Sequence, residues 1–277
     1  MPPDALSALM RATTMDDHDE VLKAATAAIK ADGGNFDAQH TRVVALLKLD
    51  RFDDAVRAII DGGVKLEAKC PLEKAYALYK LGKLDEAMAV LKSSGLQSRR
   101  FSHVAAQIAY RAERFSEAEA IYRRLLAPTD ASREDNDIQI NLRATLAQCE
   151  WQGLSANIQE NLDDLPETFE LSYNTACAHL ARARFDQAAR LLQHAAKLCD
   201  ASDDLTEDEK AVELKAIIAQ QAYVHARLGN AHQALDLYKS LGLTECVLRA
   251  IPDCDESLLI AEKPCPLPVM TTRTWSS

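Results

Sequence analysis

The segment "EKAYALYKLGKLDEA", residues 73–87, decides how this chain folds. Two tyrosines, Tyr76 and Tyr79, stand three apart; Leu81-Gly82 supplies a turn; the start of a second helix follows, and Ala87 closes the segment. Ala75 and Ala87 lie twelve positions apart, one on each side of that turn. In a helix-turn-helix unit, small residues at such a pair of positions let two helix backbones approach closely while larger side chains interlock around them.

The same pattern recurs. "LDRFDDAV", "LGKLDEAM", "AERFSEAE", "ARFDQAAR" and "LGNAHQAL" are variants of one turn-and-helix-start signature, with key alanines Ala55, Ala87, Ala118, Ala188 and Ala234. Twelve positions before them stand Val43, Ala75, Ala106, Ala176 and Ala222. Successive key alanines are 32, 31, 70 and 46 residues apart, which fits a period of roughly 34 residues, that of the tetratricopeptide repeat (TPR). The gap of 70 holds one degenerate unit around "NLRATLAQCEWQGLSANI", and the gap of 46 holds an insertion. Leu9 and Val21 add an earlier unit in the same register. The sequence therefore predicts an all-α fold, an α-solenoid (right-handed superhelix) of about seven TPR-like helical hairpins over residues 1–250. The tail 251–277, with four prolines and no helical period, is expected to be irregular or disordered.

Composition agrees. Hydrophobic residues make up 48% of the 277 and aromatics only 5%, enough apolar material for a core and too few rings for a β-sandwich. A net charge of −10 disfavours nonspecific attraction to RNA or to an anionic membrane surface. The seven cysteines are odd in number, scattered, and contain no C-x-x-C pair, so they read as reduced thiols of a cytoplasmic protein and not as a disulfide framework. No secretory signal and no apolar run of about 18 residues occurs, so no membrane association is expected. The acidic insertion "DASDDLTEDEK", residues 200–210, reads as a solvated loop or the first turn of the next helix, with a docking site for a basic partner as the other reading.

Catalytic motifs do not appear. The seven histidines include no H-x-x-x-H, and there is no phosphate-binding glycine loop or nucleophile elbow. Gly33-Gly34 reads as a helix stop between repeats. The expectation is a protein that is no enzyme, with no cofactor and no metal.

Binding is the better prospect, because stacked hairpins line a concave face with the first helix of each unit. Counting from unit starts at 36, 68, 99, 169 and 215, TPR geometry turns inward His40, Tyr76, Tyr79, His103, Gln107, Tyr110, Arg111, Tyr173, Asn174, Cys177, Tyr223 and Arg227. Five of the seven tyrosines fall there, and tyrosine offers a broad apolar body with a hydrogen-bonding tip at recognition surfaces. The alternative for any one ring is packing between neighbouring helices. Arg111 and Arg227 are placed to pair with a ligand carboxylate or to stand solvated.

The phrases "EKAYALYKLGKLDEAMAVL" (73–91), "AYRAERFSEAEAIYRRLL" (109–126) and "ELSYNTACAHLARARFDQAARLLQHAAKLC" (170–199) resemble the TPR half of the 72-kilodalton subunits of the signal recognition particle. The resemblance covers roughly residues 15–245. It implies a noncatalytic scaffold whose N-terminal repeats hold a C-terminal segment of the particle's 68-kilodalton subunit in their groove, supporting targeting of nascent chains to the endoplasmic reticulum. The family's basic RNA-binding segment has no counterpart here, so the resemblance implies no direct RNA binding by this chain. The alternative is a co-chaperone adaptor that clamps acidic C-terminal peptides, loosely suggested by Lys69, Arg100, Arg111 and Asn174. Self-association through exposed repeat ends is a further expected contact.

Overall fold

A computed structural model describes residues 17–95, 98–126, 133–154 and 165–242. Among the described residues all regular structure is helical, in thirteen helices. They are α1 (His18–Ala31), α2 (Phe36–Lys48), α3 (Phe52–Asp61), α4 (Gly63–Lys69), α5 (Pro71–Lys80), α6 (Leu84–Ser94), α7 (Arg99–Arg111), α8 (Phe115–Leu125), α9 (Arg133–Trp151), α10 (Phe169–Ala181), α11 (Phe185–Asp200), α12 (Glu207–Arg227) and α13 (Ala231–Ser240). The chain divides into two compact units, Met1–Ile121 and Tyr122–Ser277. The boundary expected at residue 250 and the tail beyond it lie outside the described residues.

Five complete hairpins occur among the described residues: α2/α3, α5/α6, α7/α8, α10/α11 and α12/α13. Helix α1 is the second half of an earlier repeat and α9 the first half of the degenerate one; Leu9 and residues 155–164, where their partners are expected, are outside the described set. Four of the five units carry a small-residue pair, Val43 standing in the fifth, and all ten positions are buried. Val43 and Ala55, Ala75 and Ala87, Ala106 and Ala118, Ala176 and Ala188, Ala222 and Ala234 are all 0% exposed. A longer side chain at any of them would force the paired backbones apart.

The turn between the two helices of a repeat is equally regular. The residue five places before each key alanine has a left-handed backbone: Asp50, Gly82, Glu113, Ala183 and Gly229, with φ between 54° and 82°, and Gly153 follows in the degenerate repeat. Each turn closes with the same two hydrogen bonds. After α5, the Gly82 N–H donates to the Tyr79 carbonyl at 3.0 Å and the Lys83 N–H to the Leu78 carbonyl at 2.9 Å. That pair satisfies carbonyls the helix end would otherwise leave open. Glycine adopts the conformation freely, whereas Asp50, Glu113 and Ala183 carry a steric cost in it.

Helix α4 is an addition that repeat counting did not show. It follows Gly62-Gly63 and buries Leu66, 1% exposed, in the core formed by Val43, Leu46, Ala55, Ala58, Ile59, Cys70 and Ala77. A methyl group on Gly62 would stand 2.4 Å from Leu66 Cδ2, so the close approach requires glycine. The unit start assigned to residue 68 therefore moves. That repeat's first helix begins at Pro71, where a missing N–H costs no hydrogen bond.

In the second unit the acidic insertion is helical only at its two ends, with 201–206 as the loop between them. Helix α11 continues to Asp200, and Glu207, Asp208 and Glu209 form the first turn of α12. Thr206 and Glu209 cap that turn reciprocally: the Glu209 N–H donates to Thr206 Oγ1 at 3.3 Å, and the Thr206 N–H to Glu209 Oε2 at 3.0 Å. The carboxylates oppose the positive end of the helix dipole. The core beneath is formed by Tyr173, Leu180, Leu191, Leu192, Cys199, Ile217 and Val224 with small residues between them.

Candidate functional site

Eleven residues were expected on the inner face beside His40, and the structure sorts them by depth. In the first unit Tyr76 and Tyr79 on α5 and Gln107 and Tyr110 on α7 are half-buried, Arg111 is exposed, and His103 is buried at 8%. In the second, Cys177 on α10 and Tyr223 on α12 are half-buried and Arg227 is exposed, whereas Tyr173 and Asn174 on α10 are 0% exposed.

Tyr173 is a core ring. Its hydroxyl hydrogen-bonds with Gln220 and Cys177, and burial pushes its own ionisation well above the usual phenol range. Burial likewise pushes the Cys177 thiol up to about 12, against the effect of the Tyr173 hydrogen bond. Asn174 Nδ2 donates to the Ile140 carbonyl of α9 at 3.3 Å. Neither Tyr173 nor Asn174 reaches a ligand while the core stays closed, because Tyr173 meets the following repeat at Gln220 and Asn174 the preceding one at Ile140.

The half-buried residues of the first unit form two aromatic clusters. Tyr76 meets the Phe52 ring edge-on, with centroids 6.2 Å apart, and Tyr79 at 6.3 Å. Lys80 Nζ stands 5.5 Å from the Phe52 centroid and 5.8 Å from that of Tyr76. Arg111, one repeat later, lays its guanidinium 5.3 Å from the Tyr79 centroid and donates from Nη1 to the Tyr79 carbonyl at 2.8 Å. Burial raises the Tyr79 phenol, with Arg111 opposing that shift. Tyr110 packs edge-on to Phe115 at 5.3 Å. Beside it, Gln107 Oε1 is buried with no donor among the described residues.

A second aromatic-cation cluster sits in the other unit. Arg227 lies 4.9 Å from the Phe185 centroid and 5.9 Å from that of Tyr223, and donates from Nη1 to the Tyr223 hydroxyl at 3.2 Å. Phe185, Tyr223 and Arg227 hold the same repeat positions as Phe52, Tyr76 and Lys80. Each trio stacks the start of one second helix against the following first helix, with the cation over both rings. Sequence reading missed the phenylalanines, although Phe52, Phe115 and Phe185 all stand three places before a key alanine.

Three of the residues named for an acidic-peptide clamp are engaged or covered within their own units. Lys69 Nζ is bound to Asp37 Oδ1 at 2.9 Å, Arg111 is committed to Tyr79, and Asn174 is buried. Among the described residues no helix is long and apolar enough to cross a membrane.

Comparison with known proteins extends this picture. Residues 14–148 match a family model described as a TPR-like repeat. The Homo sapiens protein named signal recognition particle subunit SRP72 is 32% identical over 232 residues, covering 81% of this chain and 34% of that protein. The Caenorhabditis elegans protein of the same name is 29% identical over 239 residues, 85% of this chain and 37% of that protein. A Schizosaccharomyces pombe protein of that name is 31% identical over 173 residues, 62% and 28% of the two chains. The chain thus spans about a third of the length of these curated relatives.

Proposed function

This chain carries the TPR-like repeats of the SRP72 subunits, and on that premise we propose that it is a noncatalytic interaction scaffold of the signal recognition particle. It holds a C-terminal segment of the 68-kilodalton subunit, and so supports particle assembly in the cytoplasm and co-translational targeting to the endoplasmic reticulum. The observation that carries this reading is the set of half-buried aromatic rings on the first helices of the first unit. Tyr79, Tyr110 and Gln107 present apolar faces, hydroxyls and one unsatisfied acceptor along α5 and α7. Such a mixture suits an extended peptide: rings take its side chains and the carboxamide takes a backbone N–H. Arg111, docked on Tyr79, supplies positive charge at the edge of that surface.

A peptide spanning the C-terminal segment of the 68-kilodalton subunit should bind the chain saturably and one-to-one in calorimetry. Replacing Tyr79, Gln107 and Tyr110 together by Ala should weaken binding at least tenfold, about 1.4 kcal/mol, with helix content unchanged by circular dichroism. Full-strength binding by the triple variant would overturn the surface; no binding by the parent chain would overturn the partner. The co-chaperone reading predicts selective capture of acidic C-terminal peptides instead.

A further inference from the structure

Outside that aromatic surface, the first unit brings together three side chains that the scaffold reading does not use. His40 projects from α2, Cys70 stands at the N-cap of α5, and Glu73 lies in the first turn of α5. Their ligand atoms all lie within 4.8 Å of one another, and His40 Nε2 is 3.1 Å from Glu73 Oε1. It is the one group of this kind among the described residues.

We propose that His40, Cys70 and Glu73 form a three-ligand site for a zinc-class divalent cation, which ties the first helices of two successive repeats together when it is filled. The chemistry of the donors selects the metal class. Thiolate with imidazole and carboxylate favours zinc and its neighbours over magnesium or calcium, which take oxygen ligands alone. Zinc bonds of about 2.0–2.3 Å set ligand atoms roughly 3.5 Å apart in a tetrahedron. The His40–Glu73 spacing of 3.1 Å lies slightly inside that distance, and the thiol lies within 4.8 Å of both partners. Water completes the fourth position.

The surroundings allow entry. His40 and Glu73 keep 34% and 22% of their side chains exposed, while Cys70 is 0% exposed beneath them. Access therefore runs through the imidazole and carboxylate to the sulfur. Burial and the neighbouring Glu73 push the Cys70 thiol up to about 11, with Lys69 acting in the opposite sense. Binding exchanges the S–H bond for a metal–sulfur bond and releases the proton to solvent. Burial works against the Glu73 anion, but the His40 hydrogen bond, a backbone hydrogen bond and the His40 charge together outweigh it and hold its carboxyl below the ordinary range.

Titration of the full, reduced, metal-free chain with Co²⁺ tests the proposal. The expected result is one bound equivalent with a thiolate-to-cobalt charge-transfer band, displaced by Zn²⁺, and a rise in Tm on adding zinc. Cys70→Ser should abolish the band and Cys177→Ser should leave it intact. Because Cys70 is a core position, His40→Gln and Glu73→Gln serve as independent variants. Each should weaken zinc binding at least tenfold with unchanged helix content. No uptake of cobalt by the parent chain, a band that survives Cys70→Ser, or zinc affinity unchanged in both His40→Gln and Glu73→Gln would overturn the site.

Discussion

Helices α5 and α10 are both first helices of TPR-like repeats, both carry tyrosines expected at the groove, and they treat those rings oppositely. On α5, Tyr76 and Tyr79 are half-buried and stack against Phe52 and Arg111. On α10, Tyr173 is wholly enclosed. The two sets of rings differ in register and in what packs over them. Counted back from the key alanine, Tyr76 is eleven places away, as are Gln107, Cys177 and Tyr223, all half-buried. Tyr173 is fifteen places away, in the register of the buried His103. Register alone does not decide burial, since His40 and Leu72 share the Tyr173 register and are half-buried; Tyr173 is enclosed because Gln220 and Cys177 meet its hydroxyl and the core closes around its ring.

The largest effect should come from breaking that contrast directly. Tyr173→Ala removes a fully buried ring together with its hydrogen bonds, and should cost about 3–5 kcal/mol in urea denaturation. Tyr76→Ala, trimming a half-buried ring, should cost roughly 1 kcal/mol. Similar losses for the two would mean that Tyr173 is not the core ring described above.

A smaller effect sharpens the comparison at the turns. Gly82 after α5 and Ala183 after α10 share one left-handed position, with φ of 78° and 56°. Gly82→Ala should destabilise by about 1–2 kcal/mol through backbone strain alone, since its new methyl would meet nothing nearer than Arg111 Nη2 at 3.9 Å. Ala183→Gly should stabilise by up to about 1 kcal/mol. Midpoints moving in opposite directions at unchanged m-value are the expected result.

The smallest effect concerns charge on α10. Burial raises the Glu170 carboxyl above its ordinary range, with Glu213 and Asp137 adding to the shift. The folded chain therefore holds this proton to higher pH than the unfolded chain does. Stability from this group is present below the ordinary carboxylate pKa and is lost as pH rises through the raised value. Glu170→Gln should stabilise the chain at neutral pH and flatten that part of the pH profile.

Much of the architecture was legible because its causes are local. The small pairs and the turn signature recur within about 34 residues, and the ten paired positions and the left-handed turns fall where the register puts them. Helix α4 escaped because "GGVKLEAK" carries no repeat signal; only the pocket for Leu66 reveals its purpose. The candidate surface was half legible. Tyr79 and Tyr110 stand on it, but burial of Tyr173 and Asn174 depends on residues of adjoining repeats that no counting rule weighs. The phenylalanine trios were visible as a fixed offset and were overlooked.

By itself, then, the sequence determined the repeat, its register and its turns, since a helix pair needs small side chains at close approach and a left-handed residue to reverse direction. Only the tertiary structure decided which rings are covered and which polar groups meet. His40 and Glu73 are 33 residues apart in the chain and 3.1 Å apart in space. That convergence comes from the stacking of one hairpin on the next, which places equivalent turns of successive first helices side by side.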